Sequence, residues 1–297
     1  MLKLPLYTVD VFAESKFAGN QLAVVRNASS LSDDEMQKIA KEMNYSETSF
    51  IRSDRKAQGG FDVRIFTPKE EVPFAGHPTL GTAFVIQREI IAKPVKSVVL
   101  NLKVGQVPVS FSYKGKTPDI LWMKQVQPTF GKTDLSRQAI SRVLSVEEDL
   151  VDSRFPIEEV STGLPHIIVP LRNLAGVKRA RVDKEKYFEF IQDTTAKAIL
   201  IFCAETYNKA NQINARQFAD YYGVPEDPAT GSGNGCLAAY LVKHRYFGSE
   251  QIDNIRVEQG YEIGRPSLLV LRATATGEAI DVQVGGRAVM VTKGVFT

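Results

Sequence analysis

The chain has 297 residues, of which 43% are hydrophobic and 24% charged, with 37 Lys and Arg against 34 Asp and Glu for a net charge of +3. That length suits two domains, each burying its own core, and the interleaved, nearly balanced charges argue against a nucleic-acid or membrane-surface partner. Two cysteines without metal or redox spacing, three scattered histidines, no secretory signal in MLKLPLYTVDVF and no apolar run longer than residues 198–204 argue against a metal site and a membrane span, and the cysteine usage suits a reducing cytoplasm.

In chain order, residues 3–12 read as a strand and the Gly19-Asn20 turn leads into a second at 22–25. Residues 30–43 carry a helix pattern, with Ser32 as N-cap, Asp33, Asp34 and Glu35 in the first turn, and Met36, Ile39, Ala40 and Met43 as the apolar stripe. The segment 44–51 is strand-like and holds Glu47 between Ser46 and Thr48. A strand at 61–66 follows, then a helix over 78–91 that Pro78 would open at N1 with His77 as N-cap. Strands at 95–102, 106–113 and 120–125 form a meander, and a crossing to a second half falls near 128–131. Beyond it lie helices at 135–144 and 184–193, strands at 158–161, 166–170, 198–204 and 211–218, and closing strands at 255–259, 267–274, 279–284 and 287–293.

The stretch 226–242, EDPATGSGNGCLAAYLV, combines acidic residues and a proline with a glycine-rich loop and an almost wholly apolar helix. Glycines admit close backbone approach, and the first helical turn offers unpaired N–H groups at the positive end of a dipole, so the stretch suits an anion. A related pattern, EVPFAGHPTLGTAFVI, spans 71–86 and aligns Glu71 with Glu226, Pro73 with Pro228, Gly76 with Gly231 and Ala83 with Ala238 at a single offset. An Arg-x-Phe precedes each (Arg64 to Phe66, Arg216 to Phe218), and GNQLAVV from Gly19 resembles GLPHIIV from Gly163. Three matches in one order argue for two related halves, with an active site expected in the cleft where their helix N-termini face each other. Strands outnumber helices and each half has one apolar helix for a curled sheet to enclose, which predicts an α+β fold. The expected halves are 1–127, joined by a returning strand at about 288–297, and 128–287.

NYSETSF at 44–50, RIFTPKEEVPFAGHPTLG at 64–81 and DPATGSGNG at 227–235 resemble the signature blocks of the PhzF-like phenazine-biosynthesis family, and the opening VDVF, GNQLAVV and the late VGGRAVMV fit as well. The resemblance covers nearly the whole chain. It implies the diaminopimelate epimerase-like fold, two pseudo-symmetric halves that each roll a mixed sheet around a central helix. It also implies a cofactor-independent acid–base isomerase acting on a small carboxylated substrate, and a homodimer. In such enzymes a glutamate of the NxSET segment moves a proton between carbons of dihydro-hydroxyanthranilate, giving a ketone; here that residue is Glu47. His77, Asp227 and Ser232 match positions credited with placing the substrate and assisting proton transfer, and Gly231 to Gly233 would hold its carboxylate.

Read as residues alone, a carboxylate such as Glu47 can accept and return a proton if burial raises its pKa, the alternative being an exposed strand glutamate. His77 also suits a cap, and Asp227 a turn. Asn20 and Arg64 are candidates for lining the cleft, with turn and salt-bridge roles as alternatives; Gly76 is the first half's counterpart of Gly231. His166 is an even choice between ligand-facing and structural, His244 is expected in solvent, and Glu71 and Glu226 are expected to be loop carboxylates. Diaminopimelate epimerase uses one thiol from each half, whereas this chain has none at the matching places and Cys236 falls inside the second helix, which disfavours a two-thiol racemase. A racemase or epimerase with other bases, and a ligand-binding protein without chemistry, are the alternatives carried forward.

Overall fold

The computed structural model describes residues 3–297. It divides into two compact units, one made of residues up to Met123 with Gly285–Thr297 and the other of Lys124–Val284.

The first unit runs β1 (Leu4–Val11), β2 (Asn20–Arg26), α1 (Asp33–Met43), β3 (Glu47–Ile51), β4 (Phe61–Phe66), β5 (Glu71–Val72), α2 (Gly76–Val85), β6 (Ser97–Leu102), β7 (Gly105–Lys114) and β8 (Thr117–Lys124). β2 and β3 pair in parallel, with α1 as their crossover. Ser32 and Glu35 close a capping box at the start of α1, and Asn44 ends the helix in the left-handed region. Its buried Met36 and Ala40 pack with Val25, Phe50 and Phe66. Ser32→Ala is therefore expected to lower stability by about 1 kcal/mol, a loss that urea unfolding would register.

The central helix of this unit is α2. Residues 77–85 are buried throughout, the pattern of a helix enclosed on all sides. It packs against β1, β2, β3, β6 and β7. A Cβ on Gly81 would meet Leu22 Cδ2 at 2.5 Å and Val11 Cγ2 at 2.8 Å, so this close approach requires glycine. α2 starts at Gly76 with Ala75 as N-cap, which corrects the expected cap: His77 lies within the first turn and Pro78 one residue deeper. Proline suits any of the first helical positions because their N–H groups have no partner within the helix.

The second unit runs β9 (Thr129–Phe130), α3 (Arg137–Leu144), β10 (Glu158–Ser161), β11 (Pro165–Pro170), α4 (Leu174–Arg179), α5 (Lys184–Phe190), β12 (Ala198–Cys203), β13 (Ile213–Ala219), β14 (Val224–Asp227), α6 (Gly231–Lys243), β15 (Gln251–Gln259), β16 (Ser267–Thr276) and β17 (Ala279–Gly286). A last strand, β18 (Ala288–Phe296), pairs with β1 of the first unit. All of β12 is buried. Its Ile199, Ile201 and Cys203 pack with Ile140, Val143 and Tyr187 from α3 and α5, while Phe202 meets Tyr240 of α6 edge-on. The continuous apolar run thus reflects a strand covered on both faces.

Buried from Gly233 to Val242, α6 packs against β10, β11, β15 and β16. At its C-terminal end Lys243 and His244 both reach the fully buried Glu158, His244 Nε2 at 2.6 Å. His244 is therefore not in solvent as expected, because a buried carboxylate draws it in.

The two units share one wiring. The ladder β1–β2–β3–β4–β5, with β4 joined in parallel to β6 and β6 to β7, recurs as β10–β11–β12–β13–β14, with β13 joined in parallel to β15 and β15 to β16. Register carries the equivalence to single residues: Leu22 opposite Glu47 corresponds to His166 opposite Ala198, and Ile65 opposite Val72 to Gln217 opposite Asp227. Matched scaffolds thus carry different polar residues.

Candidate active site

In the first unit, Glu47 opens β3 and His77 sits in the first turn of α2, with His77 Nε2 3.4 Å from Glu47 Oε2. The Glu47 side chain is 18% exposed and that of His77 7%. His77 Nε2 also lies 3.2 Å from the Gln21 carbonyl oxygen. A carbonyl and a carboxylate can only accept, so Nε2 carries the hydrogen and Nδ1 is left as an acceptor. Burial drives the His77 pKa down to about 3, against the opposing pull of the Gln21 carbonyl, so at neutral pH a neutral imidazole faces Glu47. Asn20 starts β2, buried at 3% exposure. Gly76 is the first residue of α2, whose N-cap Ala75 has no side-chain hydrogen bond to give.

In the second unit, Asp227 ends β14 opposite Gln217, and its Oδ2 accepts from the Thr230 hydroxyl. Thr230 is the N-cap of α6, yet its side chain does not cap the helix. The first turn, Gly231, Ser232 and Gly233, is therefore without a side-chain cap, which leaves its N–H groups and the helix dipole for an anion. A Cβ on Gly233 would approach Gln217 Oε1 to 2.2 Å.

Residues that the sequence reading did not single out gather around Asp227. The Gln259 carboxamide, fully buried, donates from Nε2 to the Asp227 carbonyl (2.8 Å) and to Thr230 Oγ1 (3.1 Å). Its Oε1 accepts from Thr230 N (3.3 Å) and Asn234 Nδ2 (2.8 Å). No local motif marks Gln259; its signal was a polar residue ending a strand whose counterpart in the first half is Leu102.

His166 is wholly buried in β11, and its Nδ1 donates to the Leu164 carbonyl at 2.9 Å. Burial lowers its pKa to about 4. Cys236 Sγ lies 3.7 Å from that same Nδ1, and burial pushes the thiol up to about 11. A ring nitrogen already spent on a carbonyl is no base for a thiol that stays protonated, so Cys236 is a small core residue. Arg64 makes two bonds to Glu71 and one to Asp33, taking the salt-bridge alternative, and Arg216 grips Glu226 in the same way.

The two buried histidines set an acid response. Each is neutral in the folded chain, whereas the unfolded chain protonates below about 6.5, so their stabilisation is complete above that pH and is lost as pH falls towards 4 or 3. About 1.4 kcal/mol per pH unit and per histidine is expected below pH 6. Urea midpoints between pH 7 and 4.5 measure it, and His77→Asn should flatten the slope.

Among the described residues no helix is long and apolar enough to cross a membrane. The family model described as phenazine biosynthesis-like protein matches residues 9–294. Over 287 residues the chain is 33% identical to the trans-2,3-dihydro-3-hydroxyanthranilate isomerase of Pseudomonas aeruginosa, covering 96% of each. It is 30% identical over 295 residues to an uncharacterized isomerase of Clostridium acetobutylicum, covering 98% of this chain and 97% of that one. Among solved structures, the phenazine biosynthesis protein of the PhzF family from Bacillus anthracis superposes with a TM-score of 0.90 over 100% of both chains at 27% identity. The fold is the diaminopimelate epimerase-like one expected from the sequence. A wiring that recurs between the units, a family match over nearly the whole chain and relatives named as isomerases lead to one conclusion: the chain is an isomerase of the phenazine biosynthesis-like, or PhzF, family.

Proposed function

We propose that the protein moves a proton between two carbons of a small carboxylated substrate, trans-2,3-dihydro-3-hydroxyanthranilate or a close analogue, with Glu47 as the group that carries it. The observation that carries this reading is the Glu47–His77 pair. A largely buried carboxylate faces an imidazole that burial keeps neutral, so this neighbour adds no positive charge against it and the carboxylate can act as a base. Glu47 takes the proton from one carbon, the electron pair shifts along the conjugated system, and the same carboxyl group returns a proton to a second carbon. Nothing is oxidised or reduced overall, and the reaction calls for no cofactor. In the second unit, Asp227 is assigned to orienting the substrate and the first turn of α6 at Gly231, Ser232 and Gly233 to receiving its carboxylate; in the first, Gly76 and Asn20 are assigned to substrate binding. The 33% identity to the Pseudomonas aeruginosa enzyme supports the substrate class.

The test is direct. Purified protein mixed with trans-2,3-dihydro-3-hydroxyanthranilate should consume it, with the absorbance change of a rearranged conjugated system. Substrate left intact after hours with folded protein would reject this compound.

A further inference from the structure

The two units build the turn before their central helix from different residues on the same frame. In the first, the N-cap is Ala75, and Thr79 Oγ1 donates back to the Ala75 carbonyl at 2.7 Å. In the second, the N-cap is Thr230, and Asn234 Nδ2 donates back to the Thr230 carbonyl at 3.0 Å. The parallel registers pair Phe61 with Leu100 and Ile213 with Val257, so Leu102 in β6 and Gln259 in β15 occupy matching places. Ala75, Thr79 and Leu102 in one unit thus stand where Thr230, Asn234 and Gln259 stand in the other.

Folding alone does not require the polar set. The first unit makes the same strand, turn and enclosed helix with a methyl and an isobutyl group at two of the three positions. Burying a carboxamide costs free energy unless its donors and acceptor are met, and the second unit goes to the length of giving both Gln259 Nε2 hydrogens and its Oε1 partners among Asp227, Thr230 and Asn234. What differs at the turn itself is the residue held there: Asp227 occupies the register position of Val72. The hydrogen bonds converge on it. Gln259 holds its carbonyl and orients the Thr230 hydroxyl, which is thereby free to donate only towards the Asp227 carboxylate. The backbone closes the arrangement, since Gly260 has φ +77 and a Cβ there would meet the Pro228 carbonyl oxygen at 2.6 Å.

We infer that Gln259, with Thr230 and Asn234, is a positioning residue for Asp227: the buried amide network fixes the direction in which that carboxylate meets the substrate. The inference rests on the substrate-orienting role proposed above for Asp227. Gln259 does not itself touch substrate.

The experiment compares wild type, Asp227→Asn, Gln259→Leu, Thr230→Val and Thr230→Ser, each with trans-2,3-dihydro-3-hydroxyanthranilate and each with a melting curve. Gln259→Leu installs the residue of the first unit, and Thr230→Val removes the hydroxyl at nearly constant shape. Both should lower kcat about 10- to 100-fold with KM within about threefold, as expected of a misaimed group, at assay temperatures where each variant remains folded. Thr230→Ser, which restores the donor, should recover most of the rate; a purely structural role would not separate serine from valine in kcat. If Asp227→Asn loses activity while Thr230→Val and folded Gln259→Leu turn over like wild type, the positioning role is overturned and the Asp227 reading stands. If Asp227→Asn is itself unimpaired, the reading of Asp227 falls and the network's role falls with it.

Discussion

Replacing Glu47 by Gln should reduce turnover about 1,000-fold, within the range that a positioned acid–base group supplies, while leaving the melting temperature close to that of wild type. The amide keeps the size and the polar contact with His77 Nε2–H but can neither take nor return a proton. The neighbouring His77 is a poor replacement base, because its Nε2 hydrogen goes to the Gln21 carbonyl and burial keeps the ring from protonating until about 3. A pH–rate profile of the wild type should accordingly show no limb from His77 between pH 5 and 9. Steady-state rates of the two proteins, measured beside their melting curves, check the expectation.

The largest stability effect is expected at Arg216. Its guanidinium, 4% exposed, makes paired bonds of 2.9 and 2.8 Å to Glu226 and donates at 2.8 Å to the carbonyls of Val177 and Ala180. Arg216→Ala would strand a largely buried carboxylate and two carbonyls, a loss of about 3–5 kcal/mol. In a unit of this size that lowers the melting temperature by roughly 10 °C. The matching Arg64 is a built-in comparison. Arg64→Ala leaves Glu71 with Lys103, whose Nζ lies 2.6 Å away, and the guanidinium is 18% exposed, so about 1 kcal/mol is expected there. Equal losses at the two sites would contradict the distinction.

Much of the fold was legible because its signals are local. Strand β4 and the capped helix α1 follow from alternation and from the Ser32 to Glu35 box. The enclosed helices α2 and α6 follow from apolar runs without a polar face. The shared wiring was visible in the spaced Arg-x-Phe and glycine motifs, and register confirms it at Arg64 and Arg216, which pair with Phe50 and Ile201 in matching ladders. The two-residue β5 and β9 and the short β14 gave no period to detect. His77 resembles a cap in the sequence because a proline favours the first helical position, whereas the helix starts two residues earlier, at Gly76. His244 was misplaced because its partner Glu158 lies far away in sequence.

The candidate site was legible in a different way. Glu47, His77 and Asp227 stood out through motif resemblance, and the structure adds that the first two touch. Gln259 and Asn234 were hidden, since a glutamine in a strand and an asparagine in a glycine-rich helix start acquire meaning only when β15 is seen against the turn that precedes α6.

The central claim is that Glu47 carries the proton. Trans-2,3-dihydro-3-hydroxyanthranilate is incubated in deuterated water with wild type and with Glu47→Gln, and the product is followed by proton and deuterium NMR. Wild type should deliver deuterium to one ring carbon of the product, with exchange at the carboxyl of Glu47 setting its fraction, and the variant should deliver almost none. Deuterium delivered by Glu47→Gln at the wild-type rate would contradict the account and assign the proton to another group.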